Sequence, residues 1–265
     1  MEQTQKAKSK YTGTKEIQKK IRELFTYRKI SLVLHESGLD HDHAFRKELE
    51  GLQLKIYLLD AYLESQWDLD PAEISKYWQG ITSALTDMHF SVDETEKLVR
   101  EIRAYEKIER RCRKDRWPIS VPFTKFYTTK SCDVRLIRHL IYRAAPALQQ
   151  VWNEKAWKYY DQATEVLDDI ADLMEDLQTY NANRFLVSWL RSGQRKTEKE
   201  YRKRMLRIQQ KAEKYFQKHP HAAGHEQLYQ WTMEGIEETL QMLNRTMVDH
   251  DPAALASSYL LGKMK

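Results

Sequence analysis

Eight glycines and six prolines are all the chain breakers in 265 residues. So few breakers leave room for few tight turns and demand long regular elements. The apolar residues then select which element. Ile17, Ile21, Leu24 and Phe25 recur at steps of three and four, as do Leu49, Leu52, Ile56, Leu59 and Leu63. That is the spacing of one helical face. The expectation is an all-α protein of nine to eleven helices, with residues 15–265 forming a single helical domain.

Local signals set the boundaries. Residues 15–34 read as the first helix. The polar stretch 35–42, HESGLDHD, reads as a loop. Its His35, His41 and acids, with the adjacent His43, could be metal ligands, but the spacing matches no motif, and an aspartate capping the next helix explains it more simply. Residues 43–67 form the next helix. Asp70 and Pro71 suit the N-cap and first position of a third. Ser91 and Glu94 form a capping box for a fourth. Pro118 and Pro122 break the chain between helices. Val134, Ile137, Leu140 and Ile141 mark the inner face of a helix reaching to about residue 150. Residues 152–190 are helical with a break near 180–182, Ser192-Gly193 ends that run, and helices over 197–218, 226–248 and 252–261 close the chain.

With 41% hydrophobic residues the chain can fill a core, and its formal charge of +5 suits an anionic partner. Residues 1–14 read as a basic, disordered tail without the apolar centre of a secretory signal. No run of about 18 apolar residues is present. Two cysteines, Cys112 and Cys132, fit a reducing compartment, so the expected location is cytoplasmic.

Against this basic background one stretch stands out. Between Lys158 and Arg184 there is no lysine or arginine, yet Asp161, Glu165, Asp168, Asp169, Asp172, Glu175 and Asp176 fall within it. Like charges stacked on a helix destabilise it unless something neutralises them. Asp168 and Asp172 are one turn apart, Asp176 continues the row and Asp169 lies beside it. Such a row suits Mg2+, which takes oxygen ligands from one or two carboxylates plus substrate phosphates. A second acidic row, Asp60, Glu64 and Asp68, is expected on one helix face and could complete a clamp.

The segment VLDDIADLMED resembles the second aspartate-rich motif of the trans-isoprenyl diphosphate synthases, a superfamily that includes squalene and phytoene synthases and class I terpene synthases. Asp168, Asp169 and Asp172 match its Asp-Asp-x-x-Asp. Lys130-Ser131, 38 residues earlier, resembles the family's Lys-Thr pair. Asp60-Ala-Tyr-Leu-Glu64 resembles the first motif, with glutamate in place of aspartate. The tail, Asn183-Arg184-Phe185 after Glu175-Asp176, looks more like the squalene/phytoene-synthase branch. The Arg-Arg pair that chain-elongating members carry after the first motif is missing. The resemblance covers roughly residues 45–190.

What the resemblance implies is a helical bundle around a central cavity and a catalytic centre of Asp60, Asp168, Asp172 and Lys130. Two or three Mg2+ ions would be held by Asp60, Glu64, Asp168, Asp169, Asp172 and Asp176. Diphosphate would be bound by Lys130, Asn183 and Arg184, with Arg103, Arg110 and Arg111 available for a second one. Tyr57, Tyr62, Trp67, Phe126, Tyr127, Tyr142 and Phe185 are candidates for aromatic cavity walls. The activity implied is ionisation of an allylic prenyl diphosphate, followed by transfer or condensation of the prenyl cation. A terpene synthase acting on one substrate is the alternative. A hydrophobic product and a basic surface would suit peripheral membrane association, and a homodimer is compatible with the reading.

Two other classes fit the sequence less well. A di-iron bundle needs Glu-x-x-His pairs, and no convincing pair is found. A non-catalytic basic binding protein draws support from residues 195–214, but glutamates alternate there with lysines at salt-bridging spacing, and no nucleic-acid motif is visible. Nucleic acid is therefore not the expected partner.

Overall fold

The computed structural model describes residues 14–65, 67–114, 118–219 and 223–249. Among them are thirteen α-helices and no strand. Residues 1–13 of the expected basic tail and the helix over 252–261 lie outside the described residues; Thr14 already belongs to the first helix. The chain divides into two compact units. The first runs to Lys107 and takes in Cys132–Ala145; the second holds Ile108–Ser131 and the residues from Pro146 onward.

In the first unit, residues 15–34 form two helices rather than one, α1 (Thr14–Tyr27) and α2 (Ile30–Glu36). Lys29 between them sits in the left-handed region at φ 61°. Phe25 and Ile30 are five residues apart, which on one continuous helix would put them on different faces. The left-handed step resets the phase, so that Ile21, Phe25, Ile30, Val33 and Leu34 are all buried. The next loop behaves as expected: Asp42 accepts bonds from the backbone N–H groups of Ala44 and Phe45, both at 3.0 Å. His35, in the last turn of α2, is paired with Asp40 of that loop at 2.9 Å.

Helix α3 (His43–Ser65) buries Leu49, Leu52, Ile56, Leu59 and Leu63. It ends before Asp68, so the expected acidic row keeps only Asp60 and Glu64. Helix α4 (Pro71–Asp87) is capped by Asp70, which accepts from Ala72 N–H at 2.8 Å. Helix α5 (Val92–Lys114) opens on the reciprocal Ser91–Glu94 box. The boundary between the units falls within it. In the first unit, its Glu106 accepts from the Trp78 indole at 2.8 Å. Helix α7 (Cys132–Ala144) belongs to the first unit, with Val134, Ile137, Leu140 and Ile141 buried.

In the second unit a 3-10 turn, Pro118–Ser120, leads into α6 (Phe123–Lys130). The helical region expected over 152–190 is divided into α9 (Trp157–Ala171), α10 (Leu173–Asp176) and α11 (Arg184–Ser192) after a short α8 (Leu148–Val151). Gly193 at φ 79° separates α11 from α12 (Gln194–Lys218). Helix α13 (His225–Asp249) is the last described. Helix α9 runs through the middle of this unit, in contact with α6, α11, α12 and α13. It is buried on nearly all sides, including its polar positions Asp161, Gln162, Thr164, Glu165 and Asp169. Small residues let α13 approach: a Cβ at Gly235 would sit 3.9 Å from that of Ala163, and Thr239 Oγ1 lies 3.3 Å from the Ala163 carbonyl. A tryptophan cluster, Trp152, Trp157 and Trp231, closes one part of the unit.

Candidate functional site

Burying acids along α9 creates a requirement, since each buried carboxylate needs donors. Asp169 is fully buried and is the best supplied. Its Oδ1 receives the Lys130 ammonium at the end of α6. Its Oδ2 accepts from the Tyr127 hydroxyl at 2.8 Å and from the Arg184 backbone N–H at 2.9 Å. Tyr127 lies 2.9 Å, hydroxyl to hydroxyl, from Tyr201 of α12. Two helices, α6 and α9, and the start of a third, α11, thus meet on one carboxylate, and α12 joins through Tyr127.

Lys130 is the cation of this network. Burial alone would pull its ammonium down, but Asp169, Glu165 and Asp176 outweigh that and hold it well above its ordinary value. Burial pushes both Tyr127 and Tyr201 up, with Asp169 adding to it, so both stay neutral hydroxyls.

Asp176, on α10, is 5% exposed. Burial pushes its carboxyl up to about 7, against the pull of Lys130 and Asn183. Two amides clamp it: Asn181 Nδ2 at 3.0 Å on Oδ1 and Asn183 Nδ2 at 2.7 Å on Oδ2. Asp172, at the junction of α9 and α10, is also raised, first by desolvation and then by Asp168. Asp172 is exposed and Asp168 half-buried. The acidic stretch therefore has an inner row, Asp161, Glu165, Asp169 and Asp176, and an outer pair, Asp168 and Asp172.

These positions revise several expected roles. Asp169 was expected to bind metal; its oxygens are instead occupied by Lys130, Tyr127 and the Arg184 backbone. Arg184 was expected to contact diphosphate; its guanidinium donates to the carbonyls of Pro118 and Val121, both at 2.6 Å, and lies beside the Phe123 and Phe126 rings. Asn183 caps α11 through Leu186 N–H and holds Asp176. Phe126 and Phe185 are fully buried core aromatics, Phe185 against Trp189 and Tyr201.

Asp60, Glu64 and Tyr57 are half-buried on α3 in the first unit. Arg103, also in the first unit, stacks 4.2 Å over Trp78 and bonds Glu96 at 3.3 Å. Arg110 and Arg111 belong to the second unit, Arg110 half-buried and Arg111 exposed. Tyr62 accepts from Asp70 N–H at 2.9 Å, Trp67 is exposed and Tyr142 is buried. Among the described residues, no group of three or more His, Cys, Asp or Glu side chains is set to hold a metal ion unaided. Within the second unit, Asp168, Asp169, Asp172 and Asp176 do not form a ready-made cage.

Tyr201, Asn181 and Glu165 belong to this network although no sequence motif marks them. Only the i, i+4, i+8 spacing of Asp161, Glu165 and Asp169 hinted that some acids point inward. Among the described residues, no helix is long and apolar enough to cross a membrane. No protein-family model matches the chain, and no curated protein and no solved structure is found to be similar to it.

Proposed function

We propose that the second unit carries a Mg2+-dependent site for an allylic prenyl diphosphate, and that the protein ionises this substrate and transfers or condenses the prenyl cation. One observation carries the reading: Asp168 and Asp172 stand at the accessible end of α9, above a buried network where acids outnumber the lysine. Desolvation and neighbouring carboxylates raise Asp172 and Asp176, so a divalent cation would relieve the cluster. An all-oxygen donor set suits Mg2+. Mg2+ keeps several waters and takes one or two carboxylates plus phosphate oxygens, so an open pair serves where a closed cage is absent.

In this reading Asp168 and Asp172 hold the metal, with Asp176 as a reserve carboxylate behind them. Bound Mg2+ would neutralise the diphosphate and stabilise leaving-group charge. Lys130 contributes fixed positive charge at the base of the site. Asp169 acts by positioning: it orients Lys130 and ties α6, α9 and α11 together. The substrate class comes from the resemblance of Asp168, Asp169, Asp172 and Lys130 to the isoprenyl diphosphate synthase motifs, and with it the proposal of an isoprenoid-synthase type of bundle. A hydrophobic product would suit a cytoplasmic protein acting at a membrane surface.

The test is product analysis by mass spectrometry after incubation with C10 to C20 allylic diphosphates, alone and in pairs, with and without Mg2+. A product that requires two substrates supports transfer, and one formed from a single substrate supports the cyclase alternative. No consumption of any diphosphate in the panel would end the enzyme reading.

A further inference from the structure

A different part of the second unit answers the chain's overall positive charge. Helices α6, α9 and α12 enclose a cleft of about 250 Å3. Arg204, Arg207 and Lys211 line it from α12, and Lys158 and Gln162 from α9, with Thr128 of α6 opposite. The α12 residues are spaced i, i+3 and i+7, so they share one helix face. Among the described residues, none of those lining the cleft is an Asp or Glu. Four cations thus converge on a concavity whose own wall offers no counter-charge.

Local contacts only partly explain this. Arg204 has Glu200 at 3.5 Å and lies near the Phe123 ring. Lys158 lies 4.7 Å over the Tyr159 ring. Both rings are buried cleft walls, and both contacts hold a cation at the rim without neutralising it. Arg207 and Lys211 are like charges one turn apart, an arrangement that opposes the helix. The cleft also has a built polar floor: Gln162 is 6% exposed and its Nε2 donates to Thr128 Oγ1 at 2.7 Å.

We infer that this cleft binds a compact phosphate-bearing anion, a phosphate monoester or diphosphate. Arginine forks pair bidentately with phosphate oxygens, while Lys158 and Lys211 add point charge from two helices. The volume lies below the roughly 300–1,000 Å3 of ordinary small-molecule sites, so the cleft takes the anionic group and little beyond it. The cations bind without a metal, and the inference is therefore independent of the Mg2+ reading.

The test is isothermal titration of the full chain with sodium pyrophosphate in EDTA, alongside sedimentation with vesicles containing phosphatidic acid. The expected result is saturable one-to-one pyrophosphate binding that weakens with salt and falls at least tenfold in Arg207→Ala/Lys211→Ala. Both side chains are exposed, and an unchanged melting temperature would show that the variant is folded. Vesicle binding lost in the same variant, and competed by pyrophosphate, would also support the inference and name a lipid headgroup as the source. Binding of neither probe, or binding indifferent to the variant, would overturn it. So would variant-sensitive binding of a single-stranded RNA with no pyrophosphate binding.

Discussion

Replacing Asp169 by asparagine separates structural acids from functional ones. The native carboxylate serves donors on two sides: Lys130 on Oδ1, and Tyr127 and the Arg184 N–H on Oδ2. An amide has one oxygen, so whichever way it turns, its NH2 group faces a donor. Either Lys130 loses its partner, or the Arg184 N–H and the tyrosine hydroxyl lose theirs. Asp169 has no exposed side-chain surface and Lys130 only 14%. Removing one member of a buried ion pair costs about 3–5 kcal/mol. At about 2–4 °C per kcal/mol for a chain of this size, the melting temperature should fall by about 6–20 °C. Asp172→Asn removes a carboxyl already raised by its surroundings, and should leave the melting temperature within about 2 °C, in the ordinary range for surface substitutions. Thermal denaturation followed by circular dichroism in EDTA reads both. A melting temperature for Asp169→Asn within that same margin would refute the network, as would Asp172→Asn falling as far as Asp169→Asn.

Asp176 should make stability depend on pH. Its folded value of about 7 lies above the ordinary 3.8, so between these limits the folded protein holds a proton that the unfolded chain has lost, and stability falls as pH rises toward 7. Relative to wild type, Asp176→Asn should therefore gain stability between pH 5 and 7 and level off above 7; a flat difference in metal-free denaturation curves would contradict this. Gly224→Ala should be strongly destabilising, because a Cβ there would lie 2.0 Å from the Trp152 indole nitrogen, which donates to the Gly224 carbonyl at 2.7 Å; overpacking of this kind costs about 1–3 kcal/mol or more, and an unchanged urea midpoint would argue against the contact. Asp70→Ala should cost about 1 kcal/mol through loss of the α4 cap, with no change in urea m-value.

Much of the helical framework was legible because its signals are local. Asp42, Asp70 and the Ser91–Glu94 box act on backbone groups two or three residues away, and each starts the helix that the sequence announces. The Lys29 break was not legible, since nothing in that residue type demands a left-handed conformation; it follows from packing Phe25 and Ile30 on one side. The acidic stretch was visible as an anomaly, but its inner and outer rows were not. Periodicity treats every carboxylate as surface, whereas Asp161, Glu165 and Asp169 follow the buried stripe of α9. Their partners come from far along the chain: Tyr127 is 42 residues and Lys130 39 residues from Asp169. Lys130 was rightly associated with the acids, yet its pairing with Asp169 in place of an open phosphate site needed the packing of α6 on α9. Arg184 misled for the same reason, since its carbonyl partners in the Pro118–Val121 turn have no sequence signature.

On the proposed function, the outer pair, Asp168 and Asp172, works on a diphosphate while the inner row holds the fold. Pyrophosphate release from an allylic diphosphate, measured with and without Mg2+ on wild type, Asp168→Asn and Asp172→Asn of equal melting temperature, tests it most directly. The expected result is Mg2+-dependent release by the wild type and none by either folded variant. Release that persists in both variants, or that does not need Mg2+, would contradict it.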